Sequence, residues 1–363
     1  MVKKTALILL LFALLMLDGC GLSRGKDVLA SADVISSKAE LIKKVEQGLS
    51  EGQTEISFET KEIGKEDLEY LNKEHDGFYG CVTGYKIRTV ELLKRSYITL
   101  YCEIYDNYYV ERAILKGEPI PEDRKDAARL LQACRKLLPE IGGKKTSPYR
   151  KEKRIHDYLV KHVEYGYPDG DESEDSPAYS SLGALVEGKA VCNGYAQAMK
   201  LLCDLTDVEC RMISGKADGE NHAWNLVKLG GSWYHVDVTW DDPAPDNPDR
   251  ILYQYFNEDD SLMAMDHSWD EDAYQEALGG DYNYFAINEL ACDDFDEFTK
   301  ACMEIFSEES PDHFQVQVKD YSKEAYSESA LQFLFPLSGA ESLNMQAIGK
   351  EPWVTLYFNL AYE

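Results

Sequence analysis

The chain has 363 residues, 44% of them hydrophobic and 11% aromatic, which is enough for two or three domains with cores of their own. Its 66 acidic against 38 basic residues give a net charge of −28, which argues against nucleic acid and anionic membrane surfaces as partners and favours neutral or cationic ones. Of nine cysteines, Cys20 and Cys192 are set apart below, and the other seven, with no close C-x-x-C pair and mostly in apolar patterns, fit buried free thiols better than a disulfide framework or a zinc site.

Residues 1–19 read as an export signal, because Lys3 and Lys4 precede an apolar run from Ala6 to Leu17 that is too short to span a bilayer. The Leu17-Asp18-Gly19-Cys20 that follows resembles a bacterial lipobox, with Asp18 where such motifs carry a small or apolar residue. That resemblance implies a diacylated Cys20 as the mature N-terminus and a lipidated tether over 20–33. The protein would then sit on the extracytoplasmic face of the cell membrane, attached through this lipid alone.

Residues 34–118 read as a small α+β module, with helices at 37–49 and 65–73 and strands at 55–60, 85–92 and 97–105. A helix over 121–141 carries Ala127, Leu130, Leu131, Cys134, Leu137 and Leu138 on one stripe between Pro121 and Gly142-Gly143, and makes 119–146 a connecting segment. Another starts at Ser147-Pro148 and buries Ile155, Tyr158, Leu159, His162 and Val163. His156 and His162 are read as solvated or packing groups, since no thiol or carboxylate cluster accompanies them in sequence. An acidic loop from Pro168 to Asp175 follows, a solvated connection that is also placed to rim a cleft.

The chemistry is concentrated between Gly188 and Pro243. From Ala196 the apolar spacing of Met199, Leu202, Cys203 and Leu205 predicts a helix, so Cys192 falls at or just before its first turn. Unpaired N–H groups and the positive end of the helix dipole there favour a thiolate. Two β-rich runs, 222–229 and 232–240, flank Gly230-Gly231, a two-residue hairpin turn. If Leu229 faces Ser232, then Trp224 faces Asp237 and His222 faces Thr239. His222 and Asp237 become diagonal neighbours on one face, about 7 Å apart at the backbone. A three-residue loop would put them on opposite faces.

The series C-x-G-Y-A, H-A-W-N and W-Y-H-V-D-V-T-W-D-D-P resembles the transglutaminase-like superfamily of papain-type thiol enzymes, over about 147–285. The resemblance implies that Cys192 is a nucleophile, His222 its base and later its acid, and Asp237 the group that orients the imidazole. General thiol–imidazole–carboxylate logic assigns the same roles. The Cys192 backbone N–H is a natural oxyanion donor. Trp224, Tyr195 and Trp240 are candidates for the substrate cleft, although Trp224 and Trp240 are read first as packing residues of the hairpin. No cofactor or metal is expected, and Asp241-Asp242-Pro243 is read as turn chemistry. A capped helix is expected over 267–278, carrying Trp269 and starting at His267.

The C-terminal residues 288–363 echo the first module. A helix is expected over 295–306, Phe314 onward answers Ile56 onward at an offset of 258, Lys323 onward answers Lys65, and Trp353 onward answers Tyr97 at 256, a two-residue deletion. The fold class expected is therefore α+β: a papain/transglutaminase-like core over 147–287, its catalytic helix packed on antiparallel sheet, flanked by two repeated small modules. The expected function is thiol-dependent acyl transfer on amide bonds of peptide, protein or cell-wall peptide, with hydrolysis favoured. Protein crosslinking, or a non-catalytic surface scaffold, are the alternatives.

Overall fold

The computed structural model describes residues 34–73, 82–90, 95–173, 175–308 and 311–362. The expected export signal and tether, with Cys20, and also Cys81 lie outside the described residues. The chain divides after Tyr105 into two compact units.

The first unit runs β1 (Val34–Ile35), α1 (Lys38–Ser50), β2 (Glu55–Thr60), α2 (Lys65–Lys73), β3 (Val82–Val90) and β4 (Arg95–Cys102), with its strands in the order β1-β2-β4-β3. Ser37 starts α1 by accepting from the Glu40 N–H at 3.2 Å, satisfying an end group that has no partner inside the helix. Leu41, Val45 and Leu49, spaced at the helical period, are buried together with Ile56, Phe58, Ile98 and Leu100 of the sheet.

The second unit opens with α3 (Asp106–Leu115), which the sequence reading did not anticipate, then α4 (Lys125–Ile141) and α5 (Pro148–His162). Ser147 caps α5 and Pro148 occupies its first turn. A parallel pair, β5 (Glu164–Tyr165) and β6 (Lys189–Ala190), leads into α6 (Cys192–Leu205). Next come β7 (Cys210–Ala217), β8 (Glu220–Leu229), β9 (Ser232–Val236), β10 (Phe256–Glu258), α7 (Asp260–Met263) and β11 (His267–Ser268). These five strands form one sheet in the order β10-β9-β8-β7-β11. Helix α6 packs on β7 and β8 and also against α3, α4 and α5, so it is buried nearly all round rather than along the single apolar face expected. Gly194 makes this possible, because a Cβ there would overlap the Ala178 carbonyl and stand 2.8 Å from the Ala190 methyl.

Three local expectations are corrected. The second hairpin strand ends at Val236, not Trp240, because the Asp237 side chain folds back onto the backbone. Residues 267–278 are not a helix: His267 and Ser268 pair with Ala217 and Lys216, and this edge pairing overrides local helical preference. The stretch from Lys323, expected to match α2, is a series of turns that becomes helical only at 330–338.

The unit ends with α8 (Tyr284–Ile287), β12 (Ala291–Cys292), α9 (Phe295–Glu308), β13 (His313–Lys319), α10 (Leu334–Ser338), β14 (Ser342–Lys350) and β15 (Trp353–Ala361). Its sheet has the order β12-β13-β15-β14, the same connectivity as β1-β2-β4-β3, with a short parallel first strand in both. Ile56 pairs with Leu100, and Phe314 pairs with Phe358. One shift of 258 (314 − 56 and 358 − 100) therefore relates both strand pairs, and the two-residue deletion inferred from sequence is unnecessary. The Gln315 side chain accepts the Tyr253 N–H at 3.2 Å and donates to the Ile251 carbonyl at 2.8 Å, and the Thr355 hydroxyl bonds Gln254. This sheet is thereby fastened to the segment entering β10.

Replacing a helical glycine with alanine ordinarily stabilises by up to about 1 kcal/mol. Gly194→Ala is expected to do the reverse, by about 1–3 kcal/mol, because the obstructing atoms are mostly backbone. Chemical denaturation of the variant against the parent measures the sign.

Candidate active site

Cys192 is the first residue of α6, and the Val191 carbonyl ahead of it accepts the N–H groups of Gly194 at 2.8 Å and Tyr195 at 3.1 Å. Of the seven described cysteines it alone is not buried. The hairpin register is the one counted from the sequence, with Leu229 opposite Ser232 and Asn225 opposite Val236. Gly230 and Gly231 have φ of 59° and 99°, the left-handed values that a two-residue turn matched to strand twist demands.

Because β9 ends at Val236, the expected Trp224–Asp237 and His222–Thr239 pairs do not form, yet Asp237, the next residue, still meets His222. His222 Nε2 lies 2.6 Å from Asp237 Oδ2, which leaves Nδ1 for the thiol, and the His222 ring and the Ala223 N–H are the groups that act on Cys192. Burial alone would raise the Cys192 thiol; the His222 hydrogen bond and charge, helped by Ala223, more than reverse this and lower it. For His222, burial works against a charged ring, but bonds to Asp237 and Cys192 outweigh it and carry the imidazole to about 10. Asp237 is also fully buried, yet bonds from His222 and His267 hold it down to about 2. These shifts favour a thiolate–imidazolium pair over the neutral thiol and imidazole.

The other Asp237 oxygen accepts the N–H groups of Thr239 at 3.0 Å and Trp240 at 3.2 Å, the turn that ends β9. His267, treated in sequence as a helix start of little chemical weight, donates through Nε2 to Asp237 Oδ2 at 3.1 Å. His222, Asp237 and His267 are also the one group of side chains, among the described residues, with a spacing that could hold a metal. Their separations of 2.6 and 3.1 Å are those of hydrogen bonds, which account for the clustering without an ion.

Two of the cleft candidates do not line a cleft. Tyr195 and Trp224 are each 1% exposed. The Tyr195 hydroxyl is 2.6 Å from an Asp242 oxygen, and the Trp224 indole N–H donates to His235 Nδ1 at 2.9 Å, so both belong to the floor beneath the site. Trp240 is half-buried, its ring 6.0 Å from that of His222. Tyr165, which sequence reasoning passed over, is 50% exposed on β5. Its phenol is raised by burial and then by the charges of Cys192 and Asp237, which makes it a candidate for the rim of the site. Its one sequence signal was an aromatic shortly before the acidic loop, too common a pattern to single out.

Asp241 and Asp242 are structural anchors as well as turn residues. Asp241 is buried and receives His156 Nε2 at 3.1 Å and the Tyr255 N–H at 2.9 Å. His156 therefore does find carboxylates, including Asp157 at 3.3 Å, and their bonds overcome its burial and raise it to about 9. His162 is exposed, with Nδ1 2.9 Å from the Tyr158 carbonyl.

Residues 135–238, a span holding all three of Cys192, His222 and Asp237, match the family model described as the transglutaminase-like superfamily. The chain thus contains a transglutaminase-like domain. Human kyphoscoliosis peptidase is 30% identical over 135 residues, 32% of this chain and 20% of the relative. The mouse kyphoscoliosis peptidase is 27% identical over 192 residues, 46% of this chain and 29% of the relative. The chain spans less than a third of the length of either. Two solved structures share low identity: a transglutaminase (TGase) crystal structure (14%, TM-score 0.29, 53% of this chain and 52% of that one) and a cysteine protease, described as putative, from Cytophaga hutchinsonii (19%, TM-score 0.25, 43% and 61%).

The geometry sets a pH window. His222 is raised above its unfolded value, so its pairing is fully present below pH 6.5 and is lost as pH rises through about 10. Asp237 is depressed, so its contribution is present above pH 3.8 and is lost as pH falls through about 2. At pH 6, iodoacetamide should label Cys192 ahead of the six buried described cysteines, and His222→Ala should slow that labelling at least about tenfold. Peptide mass mapping of the labelled protein gives both results.

Proposed function

We propose that the chain is a thiol-dependent acyl-transfer enzyme that cleaves amide bonds in peptides or proteins by hydrolysis. The observation that carries this is the one accessible described sulfur, at a helix N-terminus and lowered by an imidazole that a buried carboxylate holds through Nε2. In the reaction the Cys192 thiolate attacks the amide carbonyl and forms a C–S bond. Collapse of the tetrahedral adduct breaks the C–N bond while His222 gives its proton to the departing amine. Neutral His222 then takes a proton from water, whose oxygen attacks the thioester, and Cys192 leaves as thiolate. Asp237 holds the ring in orientation throughout and stabilises its charged form.

Water is the favoured acceptor because a site at the cell envelope meets it in large excess. Lipidation of Cys20 would hold the enzyme on the outer face of the membrane, with peptide, protein or wall peptide as substrate. The α+β sheets on either side of the thiol domain are read as diverged copies of one module; a common strand order and a single shift of 258 support this.

Incubation with glutamine-containing and wall-derived peptides, with and without a primary amine, tests the reaction by product mass. Hydrolysis gives the same products in both arms, and Cys192→Ala lowers the rate by at least about a thousandfold. Amine incorporation would assign crosslinking instead. Absence of turnover together with an inert Cys192 would leave a scaffold.

A further inference from the structure

Asp237 is held from a second side. His267 is 3% exposed, so it cannot meet a substrate, and its two ring nitrogens face two carboxylates: Asp237 Oδ2 at 3.1 Å and Asp266 Oδ1 at 2.6 Å. Carboxylates facing both nitrogens favour a ring protonated at both, a form that offers no lone pair. It therefore cannot replace His222 as a base. Asp266 is held in turn, its second oxygen accepting the Tyr255 hydroxyl at 2.8 Å. The rings of Trp224 and Trp240 pack on His267 with centroids 5.1 and 4.5 Å away, and pairing of β11 with Ala217 and Lys216 fixes its backbone.

We propose that His267 is a positioning residue for Cys192 chemistry: it donates to the same Asp237 oxygen that receives His222, and so fixes the carboxylate in the orientation that holds the catalytic ring. This rests on the function proposed above for its consequence, but not for its geometry. Backbone N–H groups restrain Oδ1. Without His267, Oδ2 would have His222 as its one described side-chain donor, and rotation of the carboxylate would release that ring. The Tyr255–Asp266–His267 chain is therefore an outer support running from the sheet edge to the thiol.

The test uses full-length protein labelled with ¹⁵N-histidine and two readouts. One is the downfield ring N–H resonance of His222 in its bond to Asp237, assigned by its loss in His222→Gln. The other is the rate at which iodoacetamide labels Cys192 at pH 6. In His267→Ala the resonance should broaden or move upfield and labelling should slow by about tenfold, whereas His267→Gln, which keeps an N–H donor, should restore both. If His267→Ala does not fold, Tyr255→Phe, which deletes one hydroxyl from Asp266, decides by the same readouts. The inference is overturned if the folded variant leaves the resonance and the rate unchanged, or if His267→Gln is as impaired as His267→Ala. Failure of the enzymatic reading looks different: wild-type Cys192 then labels at an ordinary thiol rate while the His222 resonance still reports on His267.

Discussion

A carboxylate with no exposed surface is the constraint from which the rest of the site follows. Taking one such charge out of water costs several kcal/mol unless its lone pairs are matched, and Asp237 has four donors: two imidazole rings and two backbone N–H groups. Each donor has a second consequence. The backbone pair ends β9 and turns the chain toward Asp241, His222 is held with its free nitrogen toward Cys192, and His267 draws the edge strand β11 onto β7. Fold and chemistry share one anion.

Beneath this anion the same solution recurs. Asp241 is matched by His156 and the Tyr255 N–H, Asp242 by Tyr195, and Asp260 by His235, which in turn accepts the Trp224 indole. Tyr255 joins two of these groups, its backbone serving Asp241 and its hydroxyl serving Asp266. The strongly acidic composition thus reads differently inside the domain than outside it. Asp237, Asp241 and Asp242 are buried acceptors that orient aromatic and imidazole rings, while Asp260 does so from a partly exposed position.

What the sequence made legible was local. Gly230-Gly231 determined the hairpin parity as far as Val236, and Asp237, the next residue, meets His222. Cys192 at a helix start followed from apolar spacing with Gly194 beside it. His267 was not legible, because its importance comes from an antiparallel pairing with β7, which no periodicity in 267–278 announces. Tyr195 was misread, and Trp224, read first as a packing residue and only second as a cleft wall, was left open, because large aromatics with a polar atom suit a cleft and a buried floor equally and only the positions of Asp242 and His235 distinguish them. The likeness between the flanks was read from the order of matched segments, but the shift that relates their strand pairs needed strand register, since a two-residue slip keeps the same side chains inward.

One consequence concerns where this domain stops. The family match ends at residue 238, one residue past Asp237, yet Tyr255, Asp266 and His267 all lie beyond it, as do the strands that complete both edges of the sheet. Beyond those again, Gln315 and Thr355 clasp the segment that leads into Tyr255. A fragment excised at residue 238 would keep Cys192, His222 and Asp237 but lose Thr239, Trp240 and His267, three of the four donors to its innermost charge. The hydrogen-bonded support of that charge therefore reaches into the C-terminal sheet.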